Sequence, residues 1–316
     1  MSNGLVVALS GGVGGAKLAL GLSRVLPADE LLIVANTGDD FEHLGLKICP
    51  DIDTLTYVLA GLDNTEQGWG RRDETWSFMA TIASVGGADW FRLGDRDLAM
   101  HVERTRRLRA GETLSQITTD FCRRLGIGPR LLPATDDRLR TRLNTEEGWL
   151  DFQDYFVRLQ CRPAVRAIAF DGGPAARPQP EVVAALRDPH LRAVVICPSN
   201  PLISIEPILA VPGLRAAIEA CRAPVVAVSP IIGGQAVKGP TAKMLSELGI
   251  PPGAAAVARR YGALLDGYVM DEADADEARL VEVPVTLART LMTTLADREA
   301  LARTVLAAAD SLRRAA

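Results

Sequence analysis

The sequence predicts an α/β fold: a doubly wound, mostly parallel sheet in a Rossmann-like three-layer arrangement, carrying a helical insertion. Three observations point to it. Short continuous apolar runs recur at residues 5–9, 31–35, 165–170, 193–197 and 224–228, the signature of strands buried on both faces. Stretches with helical spacing separate them, at 16–25, 180–186 and 212–221. Polar, glycine-bearing segments follow several of the runs directly, where the carboxyl ends of parallel strands open onto a ligand crevice.

In chain order, the run at 5–9 ends in glycines, 16–25 reads as a helix and 31–35 as a second buried strand, the β-loop-α-β opening of such a sheet. From 53 to 160 the texture changes. Spacing there predicts helices over 53–60, 74–85, 97–109 and 114–125, and a hairpin over 139–156 broken at Gly148. No linker flanks this stretch, so it reads as a mainly helical insertion within one α/β domain spanning 1–316. The segment 172–180 is a stiff glycine- and proline-rich loop. Further strands at 264–270 and 280–285 and an amphipathic helix at 298–314 close the chain.

Composition narrows the function. The chain has 316 residues, 48% hydrophobic and 23% charged, which is enough to bury a large core. Its net charge of -4 and pI near 5.6 supply no general basic field for nucleic acid. Arg104, Arg106, Arg107 and Arg109 form a local basic run that reads as a solvated helix face. Cys49, Cys122, Cys161, Cys197 and Cys221 lie far apart with no CxxC, which argues against a disulfide framework and fits a reducing compartment. No stretch of about 18 apolar residues occurs and no basic segment precedes 5–9, so the expectation is a soluble, cytoplasmic chain without a membrane span.

Five polar constellations could carry chemistry. Ser10-Gly11-Gly12-Val13-Gly14-Gly15-Ala16-Lys17 lies between a strand and a helix, where glycines let backbone approach a phosphate and helix N–H groups meet its charge. It matches neither a dinucleotide fingerprint, which needs glycine where Lys17 stands, nor a Walker A loop; a ligand-free tight turn is the competing reading. Asn36-Thr37-Gly38-Asp39-Asp40 follows the second strand. Its carboxylates suit Mg²⁺, although a turn or cap role is favoured for Asp40. In Pro50-Asp51-Ile52-Asp53-Thr54 one aspartate caps a helix, and the other could face the crevice. Arg92-Leu93-Gly94-Asp95-Arg96-Asp97, with His101 four residues on, is either a salt-bridged helix start or a presentation of Arg92 and Arg96 to an anion. The fifth set comprises 198–205 and 229–234, strand-end loops with hydroxyl, amide and glycine groups, followed by Lys238-Gly239-Pro240-Thr241. His43, His101 and His190 show no metal-ligand spacing, and no nucleophile elbow, HExxH or cysteine–histidine pair is evident. Metal-assisted displacement at phosphorus is the economical chemistry.

Several of these strings, together with Trp69-Gly70, Asp73-Glu74-Thr75-Trp76, Leu131-Leu132-Pro133 and Phe152-Gln153-Asp154, resemble the 2-phospho-L-lactate transferase family nearly from end to end, most weakly after Asp271. The resemblance implies transfer of a three-carbon phospho-acid from a GDP-linked donor to the terminal ribityl hydroxyl of the deazaflavin Fo. GMP is released, Mg²⁺ is the cofactor, and the enzyme is a homodimer with small-molecule partners and no nucleic-acid or membrane partner. It implies Asp53 and Arg92 as Fo contacts, and Asp39 and Asp53 as the catalytic and metal-binding carboxylates. Gly11, Gly12, Gly14, Gly15, Lys17, Ser199, Asn200, Ser229 and Gly233 would hold the guanine nucleotide. Phospholactate, phosphoenolpyruvate and phosphoglycerate stay open as the transferred acid. A nucleotide-binding regulatory protein sharing the glycine loop is the alternative, against which the strings at 50–54 and 93–97 argue. A dehydrogenase lacks its third glycine.

Overall fold

The structure, a computed structural model, describes residues 4–237 and 239–315, so Lys238 lies outside the described residues. The chain opens with β1 (Val6–Ser10), α1 (Gly12–Val25) and β2 (Leu31–Ala35), then a small hairpin of β3 (Phe41–His43) and β4 (Leu46–Ile48). Four helices follow: α2 (Pro50–Leu59), α3 (Ser77–Ser84), α4 (Asp95–Arg109) and α5 (Leu114–Arg124). After β5 (Arg130–Pro133) comes an antiparallel unit of β6 (Arg140–Thr145), β7 (Gly148–Asp151) and β8 (Val165–Asp171). Next are α6 (Pro180–Leu186), β9 (Ala193–Ile196), α7 (Glu206–Leu209), α8 (Leu214–Glu219) and β10 (Val225–Val228). The hairpin β11 (Ile231–Ile232) and β12 (Gln235–Ala236) leads to α9 (Thr241–Glu247), α10 (Ala254–Tyr261), β13 (Gly267–Asp271), β14 (Val285–Ala288) and α11 (Leu295–Ala315).

The central sheet runs β14-β13-β10-β9-β1-β2-β5, with every neighbouring pair parallel. The chain builds outward from β1 to β2 and β5 on one side, then crosses to β9 on the other. This reversal opens a crevice at the carboxyl ends of β1 and β9. Alternate residues serve opposite cores, which is why the strands read as unbroken apolar runs. Val7, Leu9, Leu32, Val34, Val194 and Ile196 face the layer holding Val182, Ile208 and Val257. Val6, Ala8, Leu31, Ile33, Ala193 and Val195 face Leu18 and Leu22 of α1, Leu55 of α2 and Val305 of α11. No helix among the described residues is long and apolar enough to cross a membrane.

The structure departs from the sequence reading at several places. Residues 165–170 are not a strand of the central sheet: β8 pairs with β6 in the antiparallel unit, and Arg166 and Ala167 are exposed. The seventh central strand is β5, inside the segment read as the insertion; it is short, and Pro133 is tolerated because β5 is an edge. The last strand is displaced from 280–285 to Val285–Ala288, because Glu272–Leu280 winds as a 3₁₀ turn series. Arg104, expected on a solvated face, is only 1% exposed.

Helices α1 and α11 meet without a side chain between them at Gly21, where an added Cβ would stand 2.1 Å from the Arg298 carbonyl oxygen. Glycine to alanine inside a helix normally stabilises by about 0.5–1 kcal/mol. Gly21→Ala is expected to do the opposite, destabilising by about 1–3 kcal/mol through overpacking against backbone. A urea unfolding midpoint equal to or above that of the wild type would refute this close approach.

Candidate active site at the carboxyl ends of the central strands

Three strand-end segments and the first turn of α2 are tied together by a short series of hydrogen bonds. Asn36, just after β2, donates through Nδ2 to Asp51 Oδ2 at 2.9 Å and to the Ile203 carbonyl at 3.2 Å, while its Oδ1 accepts from the Gly38 N–H at 2.8 Å. Asp51, in the first turn of α2, accepts the Gly12 N–H at 2.7 Å through Oδ1. Ser199, after β9, accepts the Gly11 N–H at 3.2 Å and donates to the Gly11 carbonyl at 2.8 Å. A carboxylate thus sits at the amino end of α1, where helix polarity favours negative charge.

Helix α1 starts at Gly12, four residues earlier than the spacing suggested, so most of the glycine run forms its first turns. Close packing accounts for much of its glycine content. A Cβ on Gly14 would lie 2.4 Å from the Pro198 carbonyl, one on Gly15 2.5 Å from both Ser10 Oγ and Ser199 Oγ, and one on Gly11 2.7 Å from Asp51 Oδ2. Gly12 is different, because its φ of 64° is the left-handed conformation that glycine adopts freely. Lys17 donates to the Met292 carbonyl at 2.8 Å, toward the C-terminal segment. Asn200 Oδ1 accepts the Leu202 N–H at 2.9 Å, and its Nδ2 is buried without a partner. Ser229 folds back on its own loop, accepting the Ile231 N–H at 3.1 Å. The N–H groups of Gly233 and Gly234 both point at the Asp274 carboxylate, at 3.0 and 2.8 Å, so an anion of the protein already fills that amide pair.

The chemistry of the crevice centres on Asp39 and Asp51. Both are buried, and Asp39 Oδ1 has no hydrogen-bond partner. Burial, and then the charge of Asp51, hold the Asp39 carboxyl well above its ordinary range, while the Asn36 hydrogen bond pulls the other way. Burial pushes Asp51 up to about 6 against the opposing bonds from Asn36 and Gly12. Asp40, by contrast, is balanced by Lys47 Nζ at 2.9 Å and accepts the Cys49 thiol at 3.2 Å. Ser10 Oγ, Thr37 Oγ1 and Thr141 Oγ1 are buried without partners in the same neighbourhood; the Thr141 N–H donates to the Gly38 carbonyl at 2.7 Å. Unpaired buried polar atoms are rare in folded proteins, and their concentration here marks a place shaped for a polar ligand. A recess of about 600 Å³ between the ends of α6 and α8 includes Leu186, Arg187, Ala217 and Cys221 in its walls and shares no residue with these loops.

Asp53 is arranged differently from the expectation that it joins Asp39. Two residues beyond Asp51, it points roughly 200° away around α2. Its carboxylate is gripped by both terminal nitrogens of Arg104, one at 3.1 Å, and lies 3.6 Å from His101 Nδ1. Asp53, Asp97 and His101 come within 4.8 Å of one another, a metal-like grouping that sequence spacing did not reveal. The Arg104 guanidinium already supplies the positive charge there, so the group does not suit a divalent ion. The residue that stands beside Asp39 is Asp51, one of the two candidates at 50–54.

Arg92 is exposed, its guanidinium 4.2 Å from the centre of the Trp76 ring. The surrounding string proves to be a clasp between two helices. Glu74 accepts the Arg96 and Asp97 N–H groups at 2.7 and 2.9 Å, capping α4, while Asp95 accepts those of Ser77 and Phe78 at 3.1 and 3.0 Å, capping α3. Gly94 permits the exchange, since a Cβ there would fall 2.3 Å from the Glu74 carboxyl carbon.

Comparison with known proteins bears on this site. The sequence profile described as 2-phospho-L-lactate transferase CofD matches residues 6–308. A phosphoenolpyruvate transferase of Kitasatospora aureofaciens is 45% identical, over 98% of this chain and 98% of its own. One from Streptomyces coelicolor is 42% identical, over 98% of this chain and 99% of its own. A crystal structure of a UPF0052-family protein from Bacillus halodurans superposes with a TM-score of 0.66 at 12% identity, covering 97% of this chain and 99% of that one, a likeness of fold.

The raised carboxyls predict a pH dependence. A group whose folded pKa exceeds its unfolded value of 3.8 binds more protons when folded, so stability falls as pH rises through the interval up to the folded value, about 6 for Asp51. The metal-free protein is expected to lose melting temperature from about pH 4 to about pH 6.5, and Asp39→Asn, which removes a carboxyl raised by burial and by Asp51, to flatten that loss. Superimposable profiles for the two proteins would show that the Asp39 carboxyl is not raised in the folded protein.

Proposed function

Because the chain belongs to the 2-phospho-L-lactate transferase CofD family and is a transferase, we propose that it moves a phosphoenolpyruvyl group from a GDP-activated donor to the terminal ribityl hydroxyl of Fo, releasing GMP, in the biosynthesis of coenzyme F-420. The observation that carries this reading is the buried pair Asp39–Asp51 at the reversal point of a parallel sheet, with one Asp39 oxygen unpartnered. Phosphoenolpyruvate is preferred among the three acids because the relatives at 42–45% identity bear that name.

Mg²⁺ fits the same pair. Two buried carboxyls, both raised by burial and one of them further by the other, and a free oxygen are a donor set that a hard cation would stabilise. Asp39 and Asp51 would hold it, and when bound it supplies positive charge against the diphosphate and the departing GMP. The chain's own groups do the remainder. Gly12 and Asn36 keep Asp51 from rotating, and the Asn200 amide and the Ser10 and Thr37 hydroxyls offer unpartnered atoms to phosphate oxygens. The first-turn N–H groups of α1 beyond Gly12 have no intrahelical acceptor and add to that surface. Arg92 on Trp76 presents a flat, polar face suited to a deazaflavin ring, with Asp53 as the second Fo contact. Positioning of hydroxyl and phosphorus then supplies much of the rate. The reading includes a cytoplasmic homodimer acting on small molecules, without nucleic-acid or membrane partners.

Incubation with Fo, Mg²⁺ and a donor in which phosphoenolpyruvate is joined to GMP through a diphosphate is expected to yield GMP and a product two hydrogens lighter than the phospholactyl analogue. A donor left intact in the presence of Fo would leave the nucleotide-binding regulatory reading standing. Arg92→Ala is expected to raise the Fo KM about tenfold with a smaller change in kcat. Equal losses in both would instead assign Arg92 to the transition state.

A further inference from the structure

A line of charged and polar side chains runs between α2 and α4, away from the Asp39–Asp51 pair. On α4, Asp97, His101 and Arg104 share one face by their spacing of four and three residues. On α2, Asp53 and Tyr57 share the facing one. The Tyr57 hydroxyl donates to Asp97 Oδ1, and His101 Nε2 lies 3.1 Å from Asp97 Oδ2. His101 Nδ1 is 3.1 Å from Arg104 Nη1, and Arg104 holds Asp53 with both terminal nitrogens. Arginine only donates, so Nδ1 of His101 accepts and the ring proton sits on Nε2, which is buried without a hydrogen bond although Asp97 Oδ2 stands 3.1 Å away. Arg104 and His101 are each 1% exposed. The cap that Glu74 places on the Asp97 N–H fixes where this face begins.

Stability alone does not explain the arrangement. Burying an arginine–aspartate pair costs desolvation that the attraction roughly offsets, and an apolar pair of equal volume often serves as well. What a two-nitrogen grip does supply is one orientation of a carboxylate. We infer that Arg104 and His101 are positioning residues for Asp53. Arg104 fixes the carboxylate on the acceptor side of the crevice, and His101, accepting from Arg104 through Nδ1, fixes Arg104. This rests on the reading above in which Asp53 contacts Fo. It adds that the α2–α4 line governs acceptor binding separately from the nucleotide side, which Asp51, Asn36 and Gly12 organise from the other face of α2.

The test follows two probes on the full chain: Fo by its fluorescence and GDP by calorimetry. Arg104→Lys keeps the charge and loses the two-nitrogen grip; His101→Gln keeps a polar group and loses the ring. Each is expected to weaken Fo binding about tenfold or more while GDP affinity stays within about twofold. Combining Asp53→Asn with Arg104→Met removes both charges. It is expected to regain the thermal stability that Arg104→Met alone forfeits, with Fo binding still absent, a separation that a purely structural role would not produce. A folded Arg104→Lys that binds Fo within about twofold of wild type overturns the inference, as does an equal loss of Fo and GDP affinity. Should Arg104→Lys fail to fold, His101→Gln decides by the same two affinities. Unchanged Fo binding in Asp53→Asn alone would instead remove the acceptor-site reading, and this inference with it.

Discussion

The hydrogen bond from the Gly12 N–H to Asp51 is the interaction on which the crevice depends. It joins the amino end of α1 to the first turn of α2, and Asn36 binds the other oxygen of the same carboxylate, bringing in the loop after β2. Three segments far apart in sequence are therefore held by one side chain. The negative charge placed there is favoured by the polarity of α1 yet stands against Asp39, whose own carboxyl is raised by it. The protein thus holds two carboxyls together at the cost of repulsion. That is the kind of tension a bound cation or a phosphate-bearing ligand relieves, and such strain collects at functional sites more than at structural ones.

How much of this was legible in the sequence follows from the range of the interactions. Strands such as Val6–Ser10 and Leu31–Ala35 announce themselves because both faces are buried, which is a local pattern. The strand Arg130–Pro133 does not, having only two central apolar residues and a proline at its end. Residues 165–170 look like a buried strand by composition, but the charge at Arg166 was the available clue that one face meets solvent. At the site, the glycine run and both aspartates at 50–54 stood out, while which aspartate would meet Asp39 depended on the phase of α2. That phase is set by tertiary contacts no spacing rule reports. Arg104 illustrates the same limit. It sits in a basic run with Arg106 and Arg107, and only the approach of Asp53 from another helix distinguishes it.

Several features that suggested ligand binding also hold the fold. Gly14 packs on the Pro198 carbonyl, and the string from Arg92 to Asp97 exchanges caps with Glu74. These roles are compatible with binding, since a loop that must approach a phosphate closely must also be held from behind. The amide pair of Gly233 and Gly234 fits that pattern, with Asp274 bracing the loop after β10. Glycine-rich strings therefore mark close approach of backbone in general, and the ligand is argued from what remains unpartnered once packing is accounted for.

What remains is concentrated on α2. Its first turn begins with Pro50, whose ring presets the helical φ and whose missing N–H would have been unsatisfied in any case. Starting the helix one residue later would rotate every side chain by about 100°. Asp51 would then leave Gly12 and Asn36, and Asp53 would leave Arg104. Their spacing of two residues turns the two aspartates to opposite faces, and the start of the helix decides which of them meets Gly12 and Asn36; in the proposed reading α2 is then the wall between the nucleotide side and the acceptor side. On that account the two halves are separable in binding while sharing one rigid element. A substitution on one face is then felt on the other only if α2 itself shifts.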